Sequence, residues 1–372
     1  MSSPQRASYE AIAKNYSTVI VDDNVDLAWF KTYLDPRVKI ELTLTNFVES
    51  IERLEDWADL CVTGISHSFS SDTWYRSQNL TAQSDLAGKD ILDSIFAFAA
   101  KSTELRKLRV FLDFHAITTS NLGNIIEWFY RQPVQVLELT GGCWRAVDNA
   151  MKHRFYQTIL NCTTLDKLKL DCIDLWFLKF VSFTLSARSL QLFTFDMDSE
   201  MARALSRRLQ GSRVKHLTIE FYSGNSVDGL RCLLQDLDRT SIEHLEFSGL
   251  SIDVETWCEL VPLIANSPLK ILTLNAARFD SKFLSMFAKA IQNNHTMYEL
   301  DLSTTCIANN DLQLLIQAFT HSSRQLATKR IKLLQSIHAI DTLTVHSLKL
   351  LAATCGGEFA LICHPLVVVF CL

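Results

Sequence analysis

Cys355, Cys363 and His364 come nearest to a metal-ligand set in the sequence. Zinc accepts thiolate and imidazole, but its sites bring a second ligand pair at close spacing, and none accompanies these three. Ser66, in "TGISHS", lacks the Gly-x-Ser-x-Gly elbow, and no His or Asp can be assigned to it. "LAGKD" holds Gly88 and Lys89 without the upstream glycine or the following Ser or Thr of a phosphate loop. Arg203, Arg207, Arg208, Arg213 and Lys215 form a basic cluster with no interleaved aromatics for base stacking, so a solvated helix face is expected. Gly141 and Gly142 fit a turn without a ligand. No nucleophile, base and oxyanion donor converge on paper. The expectation is a chain that is not an enzyme and carries no metal or cofactor.

The elements around these residues repeat. Eight segments line up: "LRKLRVFL" from Leu105, "VQVLELTG" from Val134, "LDKLKLDC" from Leu165 and "LQLFTFDM" from Leu190. "VKHLTIEF" from Val214, "IEHLEFSG" from Ile242, "LKILTLNA" from Leu269 and "MYELDLST" from Met297 complete the series. Positions 1, 4 and 6 are apolar in all eight, at intervals of 24 to 31 residues. With 48% of residues hydrophobic, one window satisfies this about one time in nine. Eight in order do not arise by chance.

Helical stretches with start signals follow the segments. They open at Ser120, Asp198, Ser226, Asp253 and Asp280, residue types whose side chains accept from the free amides of a first turn. Phe283, Phe287, Ala290 and Ile291 then fall on one helical face. A strand, a turn and an amphipathic helix cannot bury their apolar faces alone. Stacked, the strands pair in parallel and the helices pack outside them.

This pattern resembles the leucine-rich repeat family, in its long 28-residue intracellular type, similar to ribonuclease inhibitor. The resemblance covers Leu105 to about Thr320. An apolar residue at position 11 is present as Trp144, Leu175, Ile252, Phe279 and Ile307. The family's Asn or Cys at position 9 is replaced by Gly142, Ile173, Leu250, Ala277 and Thr305, and Glu200 and Gly224 stand at position 11 in two units. The resemblance implies an α/β solenoid, a horseshoe arc with a parallel inner sheet and outer helices. A fold this widely used implies little about activity.

Three regions are expected: residues 1–104 as an N-terminal cap with degenerate repeats, 105–323 as the array, and 324–372 as a divergent C-terminal segment, a cap or an aberrant tail. Strands are expected in 38–47 and 57–65, helices in "VDLAWFKTYL" and from Ser84, and a loop across the Ser-rich stretch from Ser66. Beyond Ser323 the period fails, and "RQLATKRIKLLQ" reads as a basic amphipathic helix. "FALICHPLVVVFCL" is too short and too interrupted to span a bilayer. Ten cysteines without a C-x-x-C pair or a leader suggest reduced thiols in an intracellular protein, cytoplasmic or nuclear. The net charge of −5 argues against nucleic acid as a partner.

Side chains alternate along a strand, so positions 3, 5 and 7 point away from the helices, onto an expected concave face. In the N-terminal half they include Lys107, Arg109, Lys167 and Lys169. The fourth unit contributes Leu192, Thr194 and Asp196. Farther on come His216, Glu220, His244, Glu246, Glu299 and Asp301. The face is expected to be electrically polarised and to orient a protein partner. The leading function is therefore a non-enzymatic protein–protein interaction scaffold. An alternative is a substrate-recognition subunit of a ubiquitin ligase with a diverged or missing F-box. A Ran-type GTPase activator is a third, although the acidic tail it would need is missing.

Overall fold

The computed structural model describes residues 18–22, 27–35, 37–44, 54–67, 83–144, 146–171, 182–194, 197–221, 227–250, 253–275, 279–303, 307–321, 323–324, 328–333, 358–363 and 366–370. The chain forms two compact units, Met1–Ile173 with Val181–Ala187 and Asp174–Phe180 with Arg188–Leu372. Each is an α/β solenoid of the leucine-rich-repeat type, in which successive strands pair in parallel and helices connect them.

In the first unit, β1 (Thr18–Asp22), β2 (Lys39–Leu44), β3 (Val62–His67), β4 (Lys107–Ala116), β5 (Val136–Cys143) and β6 (Lys167–Leu170) pair in chain order, all parallel. Helices α1 (Leu27–Tyr33), α2 (Gln83–Lys101), α3 (Thr119–Arg131) and α4 (Asn149–Leu160) alternate with them. Leu108, Val110, Leu137, Leu139, Leu168 and Leu170, at positions 4 and 6, are buried. Ile95, Phe96, Ile125, Trp128 and Phe155 of the helices are buried as well. Each large apolar side chain so removed from water stabilises the fold by about 1.5–3 kcal/mol before entropy is counted. Helix α3 starts earlier than its Ser120 signal: Thr118 caps it in a reciprocal box with Asn121. The loop expected from Ser66 also begins later, because Ser66 and His67 belong to β3; its remainder lies outside the described residues.

In the second unit, β7 (Ser189–Thr194), β8 (His216–Phe221), β9 (His244–Ser248), β10 (Ile271–Asn275), β11 (Glu299–Leu302), β12 (Thr328–Leu333) and β13 (Glu358–Cys363) run parallel, and β14 (Leu366–Phe370) returns antiparallel on β13. The helices are α5 (Ser199–Leu209), α6 (Val227–Gln235), α7 (Val254–Ala265), α8 (Ser281–Asn293) and α9 (Asn309–Thr320). Asp198, Asp253 and Asp280 accept from the amides of Met201, Thr256 and Phe283 at 2.7, 2.7 and 2.8 Å, so three of the start signals are side-chain caps. The Ser226 signal lies outside the described residues. Gly249 has φ +71°, and a Cβ there would stand 2.1 Å from the Phe221 carbonyl oxygen. A Cβ on Gly229, in α6, would stand 2.0 Å from the Met197 carbonyl oxygen. Backbone meets backbone at both points, which only glycine permits.

Two readings of the sequence need correction here. The stretch expected to be a basic helix contains a strand: Thr328–Leu333 pairs with β11, Arg330 opposite Glu299 and Lys332 opposite Asp301. Thr328 occupies position 1, where the eight aligned segments are apolar, and this hides the strand in the sequence. The connection reaches it past Arg324, which is buried, donates to the Met297 carbonyl and lies over the Phe319 ring at 4.6 Å. The fourth unit is also out of phase. Ser189, not Leu192, is the register partner of His216, so the unit starts at Ala187, and Ala187, Leu190 and Leu192 are its buried positions 1, 4 and 6.

Candidate functional site: charged and imidazole ladders on the sheet

The site is the strand face opposite the helices, where in-register pairing lines up like positions. Neighbouring strands stand about 4.8 Å apart, so a charge at position 3 or 5 meets the same position of the next strand. On the first unit this makes a chain of ion pairs. Lys107 Nζ lies 2.7 Å from Glu41 Oε1, and Glu138 Oε1 takes Arg109 Nε at 3.1 Å and Lys167 Nζ at 3.0 Å. Burial pushes the Glu138 carboxyl up, but hydrogen bonds and charge from Lys167 and Arg109 outweigh it and hold the group below its ordinary value. Lys169 is the register partner of Glu138 and half-buried.

The second unit carries two ladders of different chemistry. Toward β12, Lys332 Nζ reaches Glu299 Oε1 at 2.5 Å and Asp301 Oδ2 at 3.7 Å, and Arg330 stands 3.8 Å from Glu299. The Glu299 side chain is only 7% exposed. Across β8, β9 and β10 the members are imidazoles and hydroxyls. The His216 and His244 rings are register partners and stack with centroids 3.9 Å apart and 8° between planes. Thr218 Oγ1 donates to Glu246 Oε2 at 3.1 Å and lies 3.1 Å from His216 Nε2. Asn275 Nδ2 donates to Glu246 Oε1 at 2.8 Å, and Thr273 Oγ1 is 3.0 Å from His244 Nε2. Burial pushes the His244 imidazole down to about 4, helped by His216 and Lys332 against the pull of Glu246 and Asp301. At neutral pH the ring is therefore uncharged. The nearby His216, with Nε2 3.7 Å from Glu246 Oε2, leads the causes that hold Glu246 below the usual carboxylate range.

These positions change the expected polarity. Lys107, Arg109 and Lys167 are matched by Glu41 and Glu138, and Glu299 and Asp301 by Arg330 and Lys332. The partners that were not counted come from strands β2 and β12, outside the segments used to read the face, and from the second unit of the series. Glu220 sits opposite Ser248. Asp196 lies outside the described residues. In its unit the correct outward positions are Ser189 and Gln191, while Leu192 and Thr194 are buried. His216 entered the sequence reading only as an outward residue; aligning units position by position is the signal that pairs it with His244.

No family model matches this chain, and no curated protein does. Among solved structures it is similar to a chain of the TLR13–ssRNA13 complex, with 11% identity and a TM-score of 0.40 over 90% of this chain and 44% of that one. This chain thus spans less than half of that one. A likeness of this degree carries no argument, and the fold stands on strand register and burial. Among the described residues no helix is long and apolar enough to cross a membrane.

Proposed function

We propose that the chain is a non-enzymatic binding scaffold whose strand face, opposite the helices, takes up a segment of a partner protein. The observation that supports this is the face itself: rows of half-exposed polar and charged side chains held in register by parallel pairing. Preset hydrogen-bonding groups on a rigid sheet cost little ordering on binding and favour specificity. The groups that converge there, two imidazoles and a carboxylate, hold the neighbouring hydroxyls of Thr218 and Thr273 in hydrogen bonds, an arrangement that supports binding. Among the described residues of the first unit, strands β1–β3 are parallel-paired like those of the repeats, which supports the scaffold reading for this region as well.

The test is affinity capture followed by mass spectrometry with three full-length proteins. One is unaltered, one carries Glu220→Lys with Asp301→Lys on the strand face, and one carries Glu255→Lys with Lys282→Glu on the helix side. A partner retained by the first and third and lost by the second supports the reading. A partner lost only from the helix-side variant moves the binding surface elsewhere. Co-purification of a ligase adaptor through residues 1–100 would favour the ubiquitin-ligase alternative.

A further inference from the structure

We propose that His216, His244 and Glu246 form a binding site for one divalent transition-metal ion of the zinc class. Donor chemistry selects the ion. Two imidazole nitrogens and one carboxylate oxygen suit zinc and its neighbours, whereas calcium and magnesium sites are built from oxygen. Each residue offers one ligand atom, and these atoms lie within 4.8 Å of one another. Tetrahedral ligands at 2.0–2.2 Å from zinc stand about 3.4 Å apart, so closure needs side-chain movements of only ~1 Å. His216 Nε2 and Glu246 Oε2, at 3.7 Å, already approach that separation.

The framework fixes the three donors. His216 and His244 are paired across β8 and β9, and Glu246 follows two residues along the same face of β9. Sites on paired strands hold geometry better than sites on loops. The surrounding groups act as outer partners. Asn275 anchors Glu246 Oε1 and leaves Oε2 facing His216. The hydroxyls of Thr218 and Thr273, now against the two Nε2 atoms, can turn to serve the bound form. The nearby cation Lys332 is held by Glu299 and Asp301, which tempers its repulsion of an ion. Side-chain exposures of 36% for His216 and 24% for Glu246 give an ion access from solvent. Three protein ligands leave a fourth position for water or for a donor side chain of a bound partner.

The experiment uses the full chain with Zn2+ by calorimetry and Co2+ by absorption, under reducing conditions. One equivalent should bind, with cobalt d–d bands and no thiolate charge-transfer band, because no cysteine belongs to the proposed ligand set. His216→Gln and His244→Gln should each weaken binding about tenfold or more. Glu246→Gln, which keeps the side chain's size but turns one of its two acceptor oxygens into a donor, should do the same. Circular dichroism and a thermal midpoint measured without metal must match the unaltered protein, and a variant that fails this is replaced by Glu246→Gln alone. Thiolate bands, no saturable binding, or affinity unchanged in Glu246→Gln would overturn the site. The readout uses metal alone, so its failure leaves the protein-binding proposal standing.

Discussion

The Glu138 ladder of the first unit and the His216–His244 ladder of the second are both built from outward positions 3 and 5 of their strands but solve different problems. Glu138 stands between Arg109 and Lys167, and its charge is matched by theirs. His244 stacks on a ring like itself, and burial keeps it uncharged. The same repeat register thus produces a charge-saturated surface in one place and an imidazole–carboxylate donor cluster in another. The backbone fixes which side chains meet; the residue types decide whether they neutralise each other or stay available.

Four measurements break or sharpen that contrast. The largest effect is expected from Glu299→Gln. If pairing chemistry rather than location governs these ladders, the other charged ladder of the second unit should behave like that of Glu138. Removing a nearly buried carboxylate takes Arg330's partner away and leaves Lys332 with Asp301 alone, and urea unfolding should show a loss of about 3 kcal/mol. Glu138→Gln, whose carboxylate is the more exposed of the two, should cost about 2 kcal/mol. Equal stability of either variant and the unaltered protein would dissolve the distinction.

Acid should separate the ladders next. His244 is depressed from 6.5 to about 4, so on acidification the unfolded chain takes up its proton first. Its contribution is complete above pH 6.5, falls as the pH drops toward 4, and then levels. Glu138 is depressed from 4.5, so its contribution is kept above that pH and lost below it. Between pH 7 and 5 the unaltered protein should therefore lose about 1 kcal/mol more than His244→Gln, a figure discounted for solvent screening. Identical pH slopes would show that His244 is not the group responsible. The smallest effect belongs to Glu243→Gln. Glu243 pairs with Lys215 and Lys270 at 2.7 Å each, but all three are substantially exposed, and the change should stay within about 0.5 kcal/mol by thermal melting.

The period, the parallel pairing and the caps at Asp198, Asp253 and Asp280 were legible because apolar spacing and cap chemistry are local. The phase of the fourth unit was not. "SLQLFTFDM" alternates apolar residues in a long run, and two frames three residues apart both place hydrophobes at positions 4 and 6; only the pairing of Ser189 with His216 decides. Strand β12 escaped because Thr328 breaks the apolar signature and the lysine-rich remainder suits a helix equally well. That omission hid Arg330 and Lys332, and with them the neutralisation of Glu299 and Asp301. The histidine cluster is spread over two units 28 residues apart, so no contiguous motif contains it.

Gly229 has a consequence for the ancestry of such a chain. Its α-carbon rests against the carbonyl of Met197, a residue that precedes a different helix, so this close approach is written across two successive units. A duplication or deletion cut between residues 197 and 229 would give each half a stranger for a neighbour, and a side chain in place of the glycine would collide with it. Heritable exchange in this stretch must therefore move the two units together, as one inseparable block.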